Sequence, residues 1–312
     1  MKKIIGKWKW FLSIGVIAGL LTLGFATARI IYIKSADTSW IKDLEYDEDE
    51  LYTLKLDRAG CPLIPLGFGK EIYFFNLDTG CASDIVVTNM LENKIDYTIL
   101  ERTEQLNRDG SHRGWSYGIN INELILFDSI HNNLKCSMID WKMSSSYKFN
   151  GTIGAGLFKN NVVTIDYRAH LIGVSEKALD YSGLPSERYV VVPMLHTQTE
   201  GQGNMIFFEC KLNGENSIVY IDTGKNVSYI HNPKSEYMIG GSTDKPNTTC
   251  VDTIIDIGNI SLTLPDVYEA NIPQYSDFVY PVALELNSDR YLENDIVITF
   301  DFINDNLIFY KR

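Results

Sequence analysis

Lys70 to Gly80 reads KEIYFFNLDTG, and Glu215 to Gly224 reads ENSIVYIDTG. Each is a polar turn, a run of β-branched and aromatic residues, and then Asp-Thr-Gly, so each reads as a strand that delivers an acidic side chain into a tight turn. The match continues downstream. Val162 to Val174 (VVTIDYRAHLIGV) answers to Ile296 to Tyr310 (IVITFDFINDNLIFY), with Asp78 lying 88 residues before Asp166 and Asp222 lying 79 before Asp301. One unit therefore occurs twice. The copies are assigned to 51–182 and 187–312, with the joint in the breaker-rich Ser182-Gly183-Leu184-Pro185-Ser186.

Short apolar runs elsewhere, such as Ile119 to Phe127, Val190 to Val192 and Ile254 to Ile257, are separated by Gly, Asn and Asp, and predict a mainly β chain. Helix is expected only at Val87 to Asn93, with a helical turn around Ser175 to Tyr181.

Asp and Gly favour turns for conformational reasons alone, so one Asp-Thr-Gly is weak evidence of function. Two at equivalent places in a repeat point to chemistry. A twofold arrangement would set two carboxyls face to face. Two carboxyls about 3 Å apart cannot both ionise and share one proton. One can then act as base on a water while the other donates to a carbonyl oxygen, with no metal or cofactor.

On these residues the chain resembles the aspartic proteases of the pepsin and retropepsin superfamily over most of 51–312. The resemblance implies a bilobal pepsin-like β fold, peptide-bond hydrolysis, and Asp78 and Asp222 as the catalytic dyad. It gives Thr79, Gly80, Thr223 and Gly224 to the active-site loops, the threonines locking them across the lobes. Asn150 to Phe158 (NGTIGAGLF) looks like the family's hydrophobic-hydrophobic-Gly segment, so Ile153 and Gly154 would thread behind the first loop. A flap hairpin is expected at Arg113 to Asn120 (RGWSYGIN), with Trp115 or Tyr117 closing over substrate; buried core aromatics are the equal alternative. A monomer would supply both aspartates.

The departures are specific. The second lobe has LELNSDRYL (Leu284 to Leu292) where a hydrophobic-hydrophobic-Gly is expected. Cys81 and Lys225 follow the two glycines in place of Ser, Thr or Ala. Cys81 is expected to be a small buried hydrophobe. Lys225 is expected to point outward as a solvated edge; pointing inward, it would lower the apparent pKa of the dyad or pair with Asp222 and silence it. The alternative function that follows is a catalytically inactive, peptide-binding or sensor domain.

Of the 312 residues, 45% are hydrophobic and 22% charged, which excludes a disordered chain, and a net charge of −12 with no basic stripe argues against nucleic acid as a partner. The five cysteines form no CxxC pair, the histidines show no metal-ligand spacing, and there is no GxSxG or phosphate-binding loop, so no metal is expected.

The N-terminus carries Lys2, Lys3, Lys7 and Lys9, then 19 uncharged residues from Trp10 to Ala28. At about 1.5 Å per residue that run matches the ~30 Å hydrocarbon layer. The reading is a basic cytoplasmic tail (1–9), a transmembrane signal-anchor (10–33) in the lipid bilayer and an acidic solvated spacer (34–50). The domain would then be periplasmic or extracellular, as suits a bacterial single-pass membrane protein. A cleaved signal peptide, with Ala26-Thr27-Ala28 as its site, stays open. Both readings export the domain.

Overall fold

A computed structural model describes residues 36–106, 112–140, 150–225, 227–235, 250–287, 291 and 294–312. The basic tail and the anchor at 10–33 lie outside the described residues, among which no helix is long and apolar enough to cross a membrane. The chain is mainly β and built as two lobes around a shared sheet.

The first lobe is an eight-stranded sheet running from Lys55–Leu56 at one edge to Tyr97–Leu106 at the other, and the second is a closed six-stranded barrel from Ile206 to Asn287. Each Asp-Thr-Gly strand is set in its lobe the same way. Glu71–Leu77 pairs antiparallel with Pro62–Phe68 and parallel with Gly151–Ile153. Glu215–Asp222 pairs antiparallel with Ile206–Leu212 and parallel with Val282–Asn287. Each strand ends in consecutive buried residues, Phe75 to Leu77 and Ser217 to Asp222, so both of its faces are covered there, hence the near-continuous apolar runs YFFNL and SIVYI.

The third sheet joins the halves, in the order Leu51–Thr53, Leu171–Ser175, Val162–Asp166, Ile296–Asp301, Asn306–Lys311, Tyr189–Pro193. Three strands come from each copy, and the two copies meet where Val162–Asp166 runs antiparallel to Ile296–Asp301. Thr164 faces Thr299 there, with hydroxyl oxygens 2.7 Å apart at a fully buried position. The two matching stretches read in the sequence thus lie side by side, antiparallel, in one sheet.

Three local expectations are corrected. Val87 to Asn93 is not a helix: Ile85–Thr88 is a strand and Asn89–Leu91 a 3-10 turn. The β-branched Val86, Val87 and Thr88 fit the pleated surface beside Gly151–Ile153 better than a helix. Ser175 ends a strand, and no helix follows to Tyr181. The acidic stretch before Leu51 is no freely solvated spacer. Trp40 in the short helix Trp40–Asp43 is fully buried with Leu44 and Tyr46, and its indole donates to Asp166 at 2.9 Å. Tyr46 bonds Thr164, and Tyr189 donates to Asp43 at 2.8 Å. The interleaved aromatics, hidden among acids in the sequence, bury this segment against the shared sheet.

Candidate active site

The two Asp-Thr-Gly loops meet between the lobes. Thr79 N–H donates to the Thr223 hydroxyl oxygen at 3.0 Å, and Thr223 N–H donates to that of Thr79 at 3.1 Å. Each hydroxyl in turn donates to the opposite strand, Thr79 to Ile221 C=O and Thr223 to Leu77 C=O, both at 2.8 Å. Both threonines are buried, so every one of these groups would be stranded without its partner.

Each glycine lies against the other lobe's aspartate. A Cβ on Gly224 would come within 2.3 Å of Asp78 Cγ, and one on Gly80 within 2.7 Å of Asp222 Cγ and 2.4 Å of the Tyr220 hydroxyl. Only a residue with no side chain permits that approach. Gly80 N–H donates to Asp78 Oδ1 at 2.9 Å and Gly224 N–H to Asp222 Oδ1 at 3.0 Å, a matched pair of internal bonds. Asp78 and Asp222 are thereby brought together, each carboxyl lying against the other lobe's glycine. Burial above all, and then the neighbouring Asp222 carboxylate, hold the Asp78 carboxyl well above its ordinary pKa, against the pull of the Gly80 amide and Lys225.

Ile153 lies behind the first loop, where its carbonyl accepts from Asp78 N–H at 2.8 Å. Gly154 follows in a place where a Cβ would meet Ser83 C=O at 2.2 Å. In the second lobe Leu286 and Asn287 occupy the corresponding register, opposite Ile221 and Asp222. Asn287 fits without being glycine: its amide and its side-chain carbonyl both bond the Ser228 hydroxyl.

Lys225 is the main correction. It does not stand out as a solvated edge. Its ammonium lies 2.5 Å from Glu285 Oε1 and 3.3 Å from Asp222 Oδ2. Glu285 is 1% exposed, and a buried carboxylate without a cation is costly, which draws the lysine in. Burial works against the Lys225 charge, but Glu285 and Asp222 outweigh it and keep its pKa above the usual lysine value.

Cys81 is half-buried rather than fully enclosed. Burial, then the charge of Asp78, pushes its thiol up to about 12, so it stays protonated.

The expected flap stretch Arg113 to Asn120 is not itself a hairpin. It lies inside the long strand His112–Leu126, paired with Tyr97–Leu106 and with Ser129–Ile139. Trp115 lies under the Arg102 guanidinium, 3.5 Å from its ring centroid, while Tyr117 packs on the lobe core.

Sequence reasoning missed Glu285 and Tyr220. The signal for Glu285 was present: one acid inside the apolar run Val282–Asn287, in parallel register with the second Asp-Thr-Gly strand. Lys225, Tyr220 and Glu285, with Phe207 and Tyr275, also line a cavity of about 280 Å³ beside the pair.

Fold and site together define a class: a two-lobed, mainly β protein of pepsin-like aspartic proteinase fold. The solved aspartic proteinase from Irpex lacteus is similar to it, with a TM-score of 0.51 at 10% sequence identity, covering 84% of this chain and 96% of that one. No family model and no curated protein matches the chain.

Proposed function

We propose that this chain is a membrane-anchored aspartic endopeptidase. The observation that carries the reading is the meeting of half-buried Asp78 with buried Asp222, each against the other lobe's glycine and held by the reciprocal Thr79 and Thr223 bonds. With one proton between them, the ionised carboxyl takes a proton from a water held at the pair as that water attacks the peptide carbonyl. The protonated carboxyl donates to the carbonyl oxygen, and the resulting diol collapses as the leaving nitrogen is protonated. Trp115 is assigned to the flap over the substrate, Tyr117 being left to the lobe core on which it packs, and one chain suffices for the site. The anchor at 10–33 would hold the domain on the periplasmic or extracellular face, its N-terminus cytoplasmic.

The test is hydrolysis of an internally quenched peptide library by the full chain between pH 3 and 8. Cleavage that disappears in both Asp78→Asn and Asp222→Asn is the expected result. The second reading, an inactive peptide-binding or sensor domain, draws on Lys225 at 3.3 Å from Asp222. Peptide binding with no cleavage at any pH would favour it.

A further inference from the structure

The aspartate pair does not stand alone. The Lys225 ammonium lies 2.5 Å from Glu285 and 3.3 Å from Asp222, and its charge reaches Asp78 beyond, so one ammonium serves three carboxyls. The side chains of Asp222 and Glu285 are 6% and 1% exposed, while that of Lys225, 31% exposed, reaches the neighbouring cavity. Glu285 is faced by Tyr220 of the strand Glu215–Asp222, by Tyr229 of the strand Tyr229–His231 and, electrostatically, by Tyr275; Asp78 reaches it through Asp222. Burial holds Tyr220 and Tyr275 protonated, so the charges that matter are those of the three carboxyls and the lysine.

The charges decide what this arrangement does. An ammonium 3.3 Å from Asp222 with no other partner favours the doubly ionised pair, which has no proton left to donate. A third carboxyl changes that. When Glu285 is ionised it neutralises Lys225, and loss of the last proton from the pair would set three anions around one cation. When Glu285 is protonated, the single negative charge of the pair is itself matched by Lys225. The ionised form is thus the one that offsets Lys225, and it is the form present on the alkaline side, where the pair would otherwise lose its last proton.

We infer that Glu285 is a positioning residue: by pairing with the Lys225 ammonium it lets Asp78 and Asp222 keep their shared proton at pH values where the lysine alone would strip it. This rests on the hydrolytic reading above. Burial, opposed by Lys225 and reinforced by Asp222, pushes the Glu285 carboxyl up to about 8, so it titrates at the alkaline side of the working range.

The experiment compares pH profiles of library hydrolysis for the full chain, Glu285→Gln, Lys225→Met and the double variant, with thermal unfolding of each from pH 4 to 9. Glu285→Gln is expected to move the alkaline limb about one unit lower, a roughly tenfold loss on that limb with activity kept at acidic pH. Lys225→Met should move the limb higher, and the double variant should return it toward wild type. A Glu285 that only fills space would lower the rate by one factor at every pH. The unfolding midpoint of wild type should fall between about pH 4.5 and about pH 8, because a carboxyl with a raised folded pKa loses its stabilising contribution as it ionises; Glu285→Gln should flatten that fall.

An alkaline limb unmoved in Glu285→Gln would overturn the inference and leave the peptidase reading standing. Should that variant not fold, an unmoved limb in Lys225→Met does the same. Flattened unfolding without hydrolysis by wild type at any pH would support the charge pairing and overturn the peptidase reading.

Discussion

Thr79 and Thr223 exchange bonds across the lobe boundary, each taking the other's amide proton at 3.0 and 3.1 Å and each donating its hydroxyl to the opposite strand. One side chain thus satisfies two backbone groups of the other lobe, and the geometry of the aspartate pair is fixed by the lobes' contact.

Thr79→Val keeps the shape of the side chain and removes its hydroxyl, stranding Thr223 N–H and Ile221 C=O. Each buried unmet group costs about 1–3 kcal/mol, so the unfolding midpoint in urea should fall clearly, with hydrolysis falling alongside. Thr79→Ser, which keeps the oxygen, should lose far less. A valine variant as stable as wild type would show that the exchange contributes nothing.

Gly224→Ala introduces a Cβ that would stand 2.3 Å from Asp78 Cγ. The pair must then open by a substantial fraction of an ångström. A misplacement of about 1 Å at a reacting group can cost roughly 100-fold, and a loss of that order in kcat is expected, measured beside an unchanged circular dichroism spectrum.

Asp78 has a folded pKa well above its ordinary value. A group of that kind contributes stability that is complete below its unfolded pKa and is lost as pH rises through the folded one. Wild type should therefore be more stable near pH 4 than near pH 8, and Asp78→Asn should reduce the difference. Thermal melts across that range check the sign. A wild-type midpoint that rises with pH would contradict it.

Trp40 is buried and bonded to Asp166, which also pairs with Arg312 just past the last strand. Trp40→Ala is expected to cost about 3–5 kcal/mol, the range for removing a large buried aromatic. A domain begun at Leu51 should show a similar or larger deficit by urea unfolding. Equal stability of the two lengths would mean that the segment is a passive tether.

Much of the architecture was legible because period and repetition are local properties. KEIYFFNLDTG and ENSIVYIDTG mark two strands, and VVTIDYRAHLIGV and IVITFDFINDNLIFY mark the hairpins that build the joining sheet. The wrong helix at Val87 came from reading an apolar run too short to separate strand from helix by period. The docking of Trp40, Leu44 and Tyr46 was masked by six acids in eight positions from Asp43, a composition that argues for solvent whatever the aromatics between them do.

The sequence by itself determined the mainly β class, the duplication and the two Asp-Thr-Gly loops, since each is written in consecutive residues. Tertiary structure decided the direction of Lys225 and the role open to Glu285. These residues stand 60 positions apart and meet only because Val282–Asn287 pairs in parallel with the strand that ends at Asp222. A long, flexible side chain takes its direction from the charge it finds, and the sequence around Lys225 does not say that a buried carboxylate is waiting 2.5 Å away.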